Sequence, residues 1–507
     1  MGRSAMRHSP VDDEDTQGLL RFGYGALTDA CYVLARIRNL VAARARLGSA
    51  PVTNAVEMPE PPATALQVAF TADGLAALGV PPSVVGGFSH EFVSGMTEPS
   101  RSRRLGDVES DAPSHWAWGG DAASVPHLVV MFFAKAGLLD ASMQRLTEVA
   151  EWKDGFESVH CLTTSYLDDH EPFGFRDGIS QPEIDWHQQY DAAGGHTDYG
   201  NRVALGEFAL GYRNEYGKYT ERPLIDTDVA SKVLLAAEDV PDRKDVGRNG
   251  TYLVMRTLRQ DVRGFWRFLI EQANGNWAEA ERIGAAMVGR TRDGDPLVTL
   301  AQSPISGIAA REQDIRQNRF TYDGDPTGVA CPLGAHIRRA NPRNADYAGQ
   351  PRSALTRLVA SLGFGRNGFR DDLMSSVRFH RILRRGREYG TELSPREALG
   401  PTPADEPERG LHFICLNANL SRQFEFIQNA WTMNSKFSGL SEENDPAIGN
   451  PAAIAGCPGN GRFTIPNKEG VRRRIANIPQ FVDVRGGAYF FLPGLRALHY
   501  FTRVRPG

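Results

Sequence analysis

The sequence predicts an α+β protein in which the same strand–helix pattern occurs in two widely separated parts of the chain. The prediction rests on short apolar runs that are followed directly by segments with the 3.6-residue periodicity of an amphipathic helix. This pattern is typical of a sheet covered by helices. Two such units precede residue 160 and two follow residue 250. We therefore expect a duplicated α+β module, while noting that any mixed domain can produce such pairs by chance.

Each unit combines a strand-length run with a helical stripe. The four units are, in chain order, 66–70 with 71–78, 127–133 with 140–152, 252–255 with 261–272, and 411–416 with 421–433. Near the end of the chain, Gly486 and Gly487 open a further apolar run that reaches Leu492. We expect that run to be a buried strand.

Segments rich in proline, glycine and polar residues separate these units and predict loops. They are 49–62, 186–202, 394–410 and 445–461. The second of them is expected to link the two halves. The sequence thus divides into an N-terminal module at 1–185, a linker or insertion at 186–249 and a C-terminal module at 250–507.

Composition excludes several classes of protein. The chain has 507 residues, of which 41% are hydrophobic, and a net charge of −4. It can therefore bury a substantial core, and it has no overall basic charge for nucleic acid or acidic membranes. We expect no membrane partner and, because the first residues do not resemble a signal peptide, a cytoplasmic location. Five cysteines without a CxxC pair argue against a disulfide framework.

The first candidate for chemistry is Asp177, which lies between Gly174 and Gly178 in a stretch that ends at Pro182. The two glycines permit a tight turn or the close approach of a planar ligand. A carboxylate held there suits general acid–base catalysis. The alternative is a solvated turn in which Asp177 caps a helix.

The second candidate is His336, which lies in a small, apolar setting with several arginines just beyond it in the sequence. Imidazole is a standard axial ligand of haem iron, and arginines suit the two carboxylates of haem. The alternative is a core or capping histidine. Farther on, Arg384 belongs to an arginine cluster at 380–390 that would suit an anion or, more commonly, form a solvated basic face.

Two Cys-Pro pairs offer a rival ligand, because thiolate also binds haem iron. They begin at Cys331 and Cys457. A match of two residues has little specificity, so both cysteines are interpreted as structural.

Together these segments resemble the dye-decolourising (DyP-type) haem peroxidases. Gly174, Asp177 and Gly178 match the GxxDG signature of that family, the segment 331–343 resembles its proximal-histidine stretch, and 382–386 resembles its distal-arginine stretch. The three segments follow the order of the family, and weaker similarity covers most of the chain. The resemblance implies two ferredoxin-like modules, each an antiparallel sheet with helices, and one haem b held mainly by the C-terminal module.

The resemblance also implies roles for individual residues. His336 would be the axial iron ligand, Asp177 would move the proton of hydrogen peroxide on the opposite face, and Arg384 would stabilise charge beside it. Electrons would come from an organic donor such as a dye or a phenol. Because a distal Asp stays ionised at lower pH than a His, we expect an acidic optimum.

Other residues around the cofactor are assigned less directly. Gly174 and Gly178 would approach the cofactor, and Arg339 and Arg343 would bind its carboxylates because they are close to His336 in sequence. Members of the family often have an Asp in the strand before the helix that begins here at Ser421. This chain has Asn417 and Asn419 in that place. Asn419 is therefore expected to accept the second ring N–H of His336, which would make the ligand less electron-rich.

Two alternative functions stay open at this stage. A haem-binding or iron-releasing (deferrochelatase-like) protein on the same fold would need His336 but neither Asp177 nor Arg384. A hydrolase without haem has no supporting motif, because the chain contains neither GxSxG nor HExxH. A homo-oligomer is compatible with the sequence.

Overall fold

Antiparallel strands from both halves of the chain form one continuous sheet. The computed structural model describes residues 10–189, 201–300, 317–322, 324–343, 377–453 and 461–504, and within these ranges the sheet has nine strands. Its order is β10-β12-β9-β15-β2-β3-β1-β4, and β11 also pairs with β12.

The strands and helices are bounded as follows. The strands are β1 (Asp29–Ile37), β2 (Thr64–Phe70), β3 (Leu128–Ala134), β4 (Phe156–Thr163), β5 (Glu183–Asp185), β6 (Arg202–Ala204), β7 (Leu224–Ile225), β8 (Lys244–Asp245), β9 (Thr251–Gln260), β10 (Leu383–Arg384), β11 (Arg387–Tyr389), β12 (Gly410–Asn417), β13 (Gly461–Ile465), β14 (Arg473–Ile478) and β15 (Val482–Leu492). The helices are α1 (Leu40–Gly48), α2 (Ala72–Ala77), α3 (Pro82–Val85), α4 (His90–Ser94), α5 (Pro99–Leu105), α6 (Leu139–Thr147), α7 (Ala150–Gly155), α8 (Val262–Gln272), α9 (Trp277–Val288), α10 (Leu297–Leu300), the histidine helix (His336–Ala340) and the C-terminal helix (Leu495–Arg503).

The two halves of the sheet have the same topology. In the N-terminal half the strands follow the order β4-β1-β3-β2, with α1 after β1 and α6 and α7 before β4. In the C-terminal half, β15-β9-β12 followed by the short β10 and β11 repeat that order, with α8 after β9. Each half is thus a ferredoxin-like βαββαβ unit. The expected duplicated α+β fold is confirmed. The boundaries 1–185 and 250–507 of the modules stay a prediction.

The halves join edge to edge, and the combined sheet curls. The junction is the pair Phe491–Phe70 between β15 and β2. At the two ends of the sheet, the amide of Ser165, just after β4, donates to the carbonyl of Glu388 in β11 at 2.8 Å. The ring of His412 in β12 lies 3.2 Å from the carbonyl oxygen of Thr163. The sheet therefore bends until its first and last strands approach one another.

Alternating side chains divide the core between the two faces of this sheet. On β1, Tyr32 and Leu34 pack with Leu416 and Phe490 from the C-terminal half, inside the curl. The intervening residues pack outward against α1 and the C-terminal helix. Period-two alternation is the expected pattern of a strand buried on both faces by different elements. This double burial explains why the strands appear in the sequence as nearly continuous apolar runs.

The segment 421–433, predicted as a regular α-helix, is mostly π-helical, with more residues in each turn. Ser421–Glu425 and Ile427–Thr432 are π-helical, and the amide of Glu425 bonds to the carbonyl of Leu420 five residues earlier. Apolar periodicity cannot separate a π-helix from an α-helix over so short a stretch. Such turns are frequent at functional sites. Within the described residues, no helix is long and apolar enough to cross a membrane.

Gly486 tests the packing within β15. A Cβ atom at this position would overlap the indole of Trp118, which is 1% exposed and donates through Nε1 to Thr257 at 3.1 Å. Gly486→Ala is therefore expected to lower the free energy of unfolding by roughly 1–3 kcal/mol, as overpacking does. The measurement is chemical denaturation followed by circular dichroism.

Gly25→Ala is the matched control, because a Cβ atom there meets nothing within 4 Å. Its free energy of unfolding should stay within about 0.5 kcal/mol of the wild-type value. Equal stability of the two variants would contradict the proposed overlap with Trp118.

Candidate functional site

The loop that carries Asp177 is held by two aromatic side chains. Phe173 and Phe175 are buried and pack on Phe265 and Trp266 of α8, with ring centroids 4.6 Å apart for Phe173 and Phe265. The indole of Trp266 also donates to the carbonyl of Phe173 at 3.0 Å. These anchors give the loop a defined conformation just before Asp177.

Glu171 closes the turn beneath these aromatic residues. Its carboxylate accepts from the amides of Phe173 (3.1 Å) and Phe175 (3.2 Å) and from the side-chain amide of Gln260 (2.6 Å). Burial nevertheless raises the pKa of Glu171 to about 7. Gly174, at φ +88°, completes the turn in a conformation that favours glycine.

Arg384 reaches Asp177 from β10. Its Nη1 atom donates to Oδ1 of Asp177 at 2.7 Å. Gln181 fixes the two backbones, because its side-chain amide accepts from the amide of Arg384 (3.0 Å) and donates to its carbonyl (3.2 Å). The predicted Asp177 and Arg384 are thus brought into direct contact across 207 residues of sequence.

The charge balance of this pair favours the carboxylate. Burial is the largest single influence on the pKa of Asp177 and raises it. The charge and the hydrogen bond of Arg384 lower the pKa and, with smaller contributions from other groups, outweigh the effect of burial. The net result is a pKa below the ordinary value for aspartate, with a small contribution from His336 in the same direction. Asp177 therefore remains an ionised acceptor in acid.

His336 is the first residue of its short helix, and a turn anchored by Asp325 leads into it. Asp325 accepts from the amides of Ala330 (3.1 Å) and Cys331 (2.9 Å) and from the guanidinium of Arg338 (3.0 Å). Cys331 is buried among these groups, which agrees with its structural interpretation. Cys457 lies outside the described residues.

The partner of His336 is Asp445. Its Oδ2 atom lies 2.9 Å from Nδ1 of His336. Its other oxygen accepts from the amides of Ala447 (2.9 Å) and Ile448 (3.1 Å), so the carboxylate is held rigidly. Burial opposes protonation of His336, but Asp445 outweighs it and the pKa of His336 is raised. The same contact, against the effect of burial, lowers the pKa of Asp445.

The prediction that Asn419 stands behind His336 is therefore wrong. The side chain of Asn419 accepts from the amide of Arg422 (2.8 Å) and from the hydroxyl of Ser421 (3.1 Å) and thus caps the start of the π-helical segment. The expected loss of the carboxylate does not occur, because Asp445 provides it from a loop 109 residues beyond the histidine. The sequence shows that loop only as a segment rich in proline and glycine.

Arg339 has a structural role in place of the predicted contact with haem carboxylates. Its guanidinium is completely buried and donates to four carbonyl oxygens. They belong to Gly334 (3.1 Å), Trp431 (2.8 Å), Asn434 (2.9 Å) and Glu443 (2.6 Å). Arg339 thus ties the histidine helix to the end of the π-helical segment and to the approach to Asp445.

Arg343 joins the histidine segment to the Asp177 loop. Its Nη1 atom donates to the carbonyls of Asn318 (2.6 Å) and Phe320 (3.0 Å), and its Nη2 atom donates to the hydroxyl of Ser180 (3.2 Å). Its guanidinium also lies 3.8 Å from the ring centroid of Phe320. A contact of Arg343 with haem stays a prediction.

Asp177, Arg384 and His336 lie close enough for the charge of Arg384 to influence the pKa values of Asp177 and His336. Their side chains are 29%, 30% and 29% exposed, yet burial is the largest influence on the pKa of both Asp177 and His336. Gly178 has φ +75°, and a Cβ atom there would meet nothing within 4 Å. By contrast, a Cβ atom on Gly174 would meet Pro395 at 3.1 Å. Gly178 thus borders open space beside Asp177, whereas Gly174 shapes the turn.

The chain is similar to dye-decolorizing peroxidases along most of its length. It is 27% identical to a dye-decolorizing peroxidase of Auricularia auricula-judae over 474 residues, and this aligned region covers 89% of this chain and 78% of that protein. It is 29% identical over 445 residues to a multifunctional dye peroxidase of an Amycolatopsis species, at 85% and 81% coverage.

Solved structures agree with these relatives. The crystal structure of a decolorizing peroxidase from Auricularia auricula-judae superposes with a TM-score of 0.70 at 25% identity, covering 97% of this chain and all of that one. A DyP-type peroxidase of an Anabaena species shares the fold, with a TM-score of 0.68 at 22% identity and coverage of 96% and 94%. No family model matches the chain.

The structural role of Arg339 leads to a stability prediction. Arg339→Ala removes a buried guanidinium that donates to four carbonyls and is expected to lower the free energy of unfolding by at least about 3 kcal/mol. The measurement is denaturation of protein prepared without haem. If Arg339 served only the carboxylates of haem, the haem-free protein would not change.

The matched control is Arg282→Ala. Arg282 forms an exposed pair with Glu279, at 2.7 Å. Exposed pairs contribute little, so this change should lower the free energy of unfolding by less than about 1 kcal/mol.

Proposed function

We propose that this chain, which belongs to the dye-decolorizing (DyP-type) peroxidases, binds one haem b through His336 and reduces hydrogen peroxide with Asp177 and Arg384. A dye, a phenol or another organic donor supplies the electrons. The observation that carries the proposal is the contact between Asp177 and Arg384, whose charges also act on the nearby His336.

The residues around His336 and Asp177 fit a haem group. Within the described ranges, no three His, Cys, Asp or Glu side chains stand close enough to hold a metal ion together. A single histidine therefore suits a metal that brings most of its own ligands, as haem iron does. Nδ1 of His336 is engaged by Asp445, which directs ligation to Nε2. Gly178 leaves space for a flat group beside Asp177.

Asp445 makes His336 a strong ligand. A buried carboxylate that accepts the Nδ1 proton fixes the tautomer and ring orientation and increases the electron density at Nε2. The amides of Ala447 and Ile448 keep that carboxylate in place. Bound haem would supply the redox chemistry that splits the peroxide bond.

Asp177 and Arg384 act on the peroxide proton. The ionised carboxylate of Asp177 would accept the proton from one oxygen of the peroxide and return it to the other oxygen, which departs as water. The guanidinium of Arg384 stabilises the negative charge that develops during this transfer. Because Arg384 also lowers the pKa of Asp177, the base keeps its charge at lower pH than an ordinary aspartate.

The contact of Asp177 with Arg384 favours turnover over passive haem handling. A storage or iron-releasing protein needs the histidine ligand but has no use for an ion pair beside the cofactor. Here the packing of Phe173 and Phe175 on α8 holds the loop of Asp177. The hydrogen bonds of Gln181 to the backbone of Arg384 hold the other member of the pair. Because these contacts hold both Asp177 and Arg384 in place, we infer that the two side chains take part in the reaction.

Asp177→Asn tests the proposed base. The amide has nearly the same size but cannot accept a proton, so peroxide-dependent dye oxidation is expected to fall by about 10²- to 10⁴-fold. The Soret absorbance should persist, because His336 is untouched. In the wild type, activity should decline with falling pH only below the ordinary pKa of aspartate, since the ionised form is required.

The matched control is Asp168→Asn in the same loop. Asp168 is exposed and has φ +52°, a conformation that asparagine adopts readily. Its dye oxidation should equal that of the wild type. A fully active Asp177→Asn would contradict the proposed role of the carboxylate.

Asp445→Asn tests the assignment behind His336. Replacing the carboxylate by a neutral amide makes the ligand less electron-rich and is expected to raise the Fe(III)/Fe(II) potential of the bound haem. The measurement is a spectroscopic redox titration. Asn419→Asp is the control and should leave the potential unchanged, because Asn419 caps the π-helical segment. A lowered potential in Asn419→Asp would restore the assignment made from sequence alone.

A further inference from the structure

Cys31 and Cys161 bring two thiols into contact on the N-terminal half of the sheet. In the register of β1 and β4, Val33 faces Cys161 and Cys31 faces Thr163, so the two cysteines are diagonal neighbours on one face. Their sulfur atoms are 2.8 Å apart. A disulfide bond is about 2.05 Å long, so less than about 1 Å of movement would join them.

The two thiols differ in accessibility. β4 is the last strand of the sheet, and Cys161 is exposed there, whereas Cys31 is buried in the core. The contact between the two sulfur atoms lowers the pKa of Cys161 to about 7 and, together with burial, raises that of Cys31. An exposed thiol with thiolate character is the form that reacts with peroxide, and a neighbouring thiol can then resolve the product.

The other described cysteines lack these properties. Cys331 and Cys415 are both buried. Burial raises the pKa of Cys331 to about 12 and also raises that of Cys415. Only the β1–β4 pair, among the described residues, combines an exposed sulfur with a second sulfur in contact.

We propose that Cys31 and Cys161 form a peroxide-sensitive thiol pair that closes to a disulfide between β1 and β4. The oxidant is hydrogen peroxide, the substrate of the peroxidase reaction. The inference does not depend on Asp177, Arg384 or His336. It also refines the expectation from sequence, since an odd number of cysteines argues against a framework but not against one pair.

The chemistry takes two steps. The thiolate of Cys161 attacks peroxide, so that an S–O bond forms, the O–O bond breaks and, after proton uptake, one water leaves with Cys161 as sulfenic acid. The thiol of Cys31 then attacks that sulfur, the S–S bond forms, the S–O bond breaks, and its proton leaves with the hydroxyl as a second water. Two electrons pass from the two sulfurs to one peroxide.

Closure would tie an edge strand to the interior of the sheet. The chain runs from β4 directly into the loop that carries Asp177, and Ser165 already bonds to Glu388 at the start of this loop. The disulfide would therefore restrain the strand from which the Asp177 loop departs. It would form under the same conditions in which the enzyme works.

Thiol mapping tests the pair on full-length, haem-loaded protein. Wild type and Asp177→Asn, the latter chosen so that peroxide is not consumed by turnover, are treated with hydrogen peroxide or with diamide. Free thiols are then alkylated, and the digest is examined by mass spectrometry. We expect a linked peptide containing Cys31 and Cys161 with both oxidants, and its loss in Cys161→Ser.

Two further variants sharpen the result. In Cys31→Ala, Cys161 should stop at the sulfenic acid and be captured by dimedone. Cys415→Ala removes a buried cysteine of the same sheet and should leave the linked peptide unchanged. Cys31 and Cys161 both remaining alkylatable would overturn the proposal, as would oxidation of Cys161 without linkage to Cys31, or a linkage between two chains. Dye oxidation is measured separately, so either proposal can fail without the other.

Discussion

The hydrogen bond between Ser165 and Glu388 joins the two ends of a long, curled sheet. The contact of Asp177 with Arg384 depends on this curl. In the order of the sheet, β4 and β10 are farthest apart. The curl brings the loop that leaves β4 close to β10, where Asp177 contacts Arg384. Side chains of both halves fill the inside of the bend, where Tyr32 and Leu34 pack with Leu416 and Phe490. Apolar burial thus supplies the energy that brings two charged residues together.

The ion pair at the site is stable because its surroundings are prepared in advance. Bringing a carboxylate and a guanidinium out of water is costly unless their geometry is held and their other bonding positions are used. Phe173 and Phe175 anchor the loop of Asp177 by packing on α8. Gln181, in the same loop, bonds to the backbone of Arg384. His336 has the same kind of support, since Asp445 is itself held by two amides. A site built in this way loses little energy to rearrangement when charge develops.

The sequence predicted the residues that lie within recognisable local patterns. Asp177 stands between two glycines, and His336 and Arg384 lie in short segments whose order matches a family. The duplicated module was visible because double burial makes the strands apolar. What the sequence could not provide was contact between distant loops. Asp445 follows no periodic pattern and meets His336 only after the fold brings residues 109 positions apart together.

Proximity in sequence was equally misleading for Arg339. It lies three residues after the histidine, and on a helix this spacing places two residues on neighbouring parts of one face. Its guanidinium nevertheless points into the protein, where four carbonyl groups at the ends of other elements need donors. A buried arginine can satisfy such groups because its five N–H donors are fixed in one plane. Through these bonds Arg339 supports the segment from which Asp445 reaches His336, so it acts on His336 through the fold.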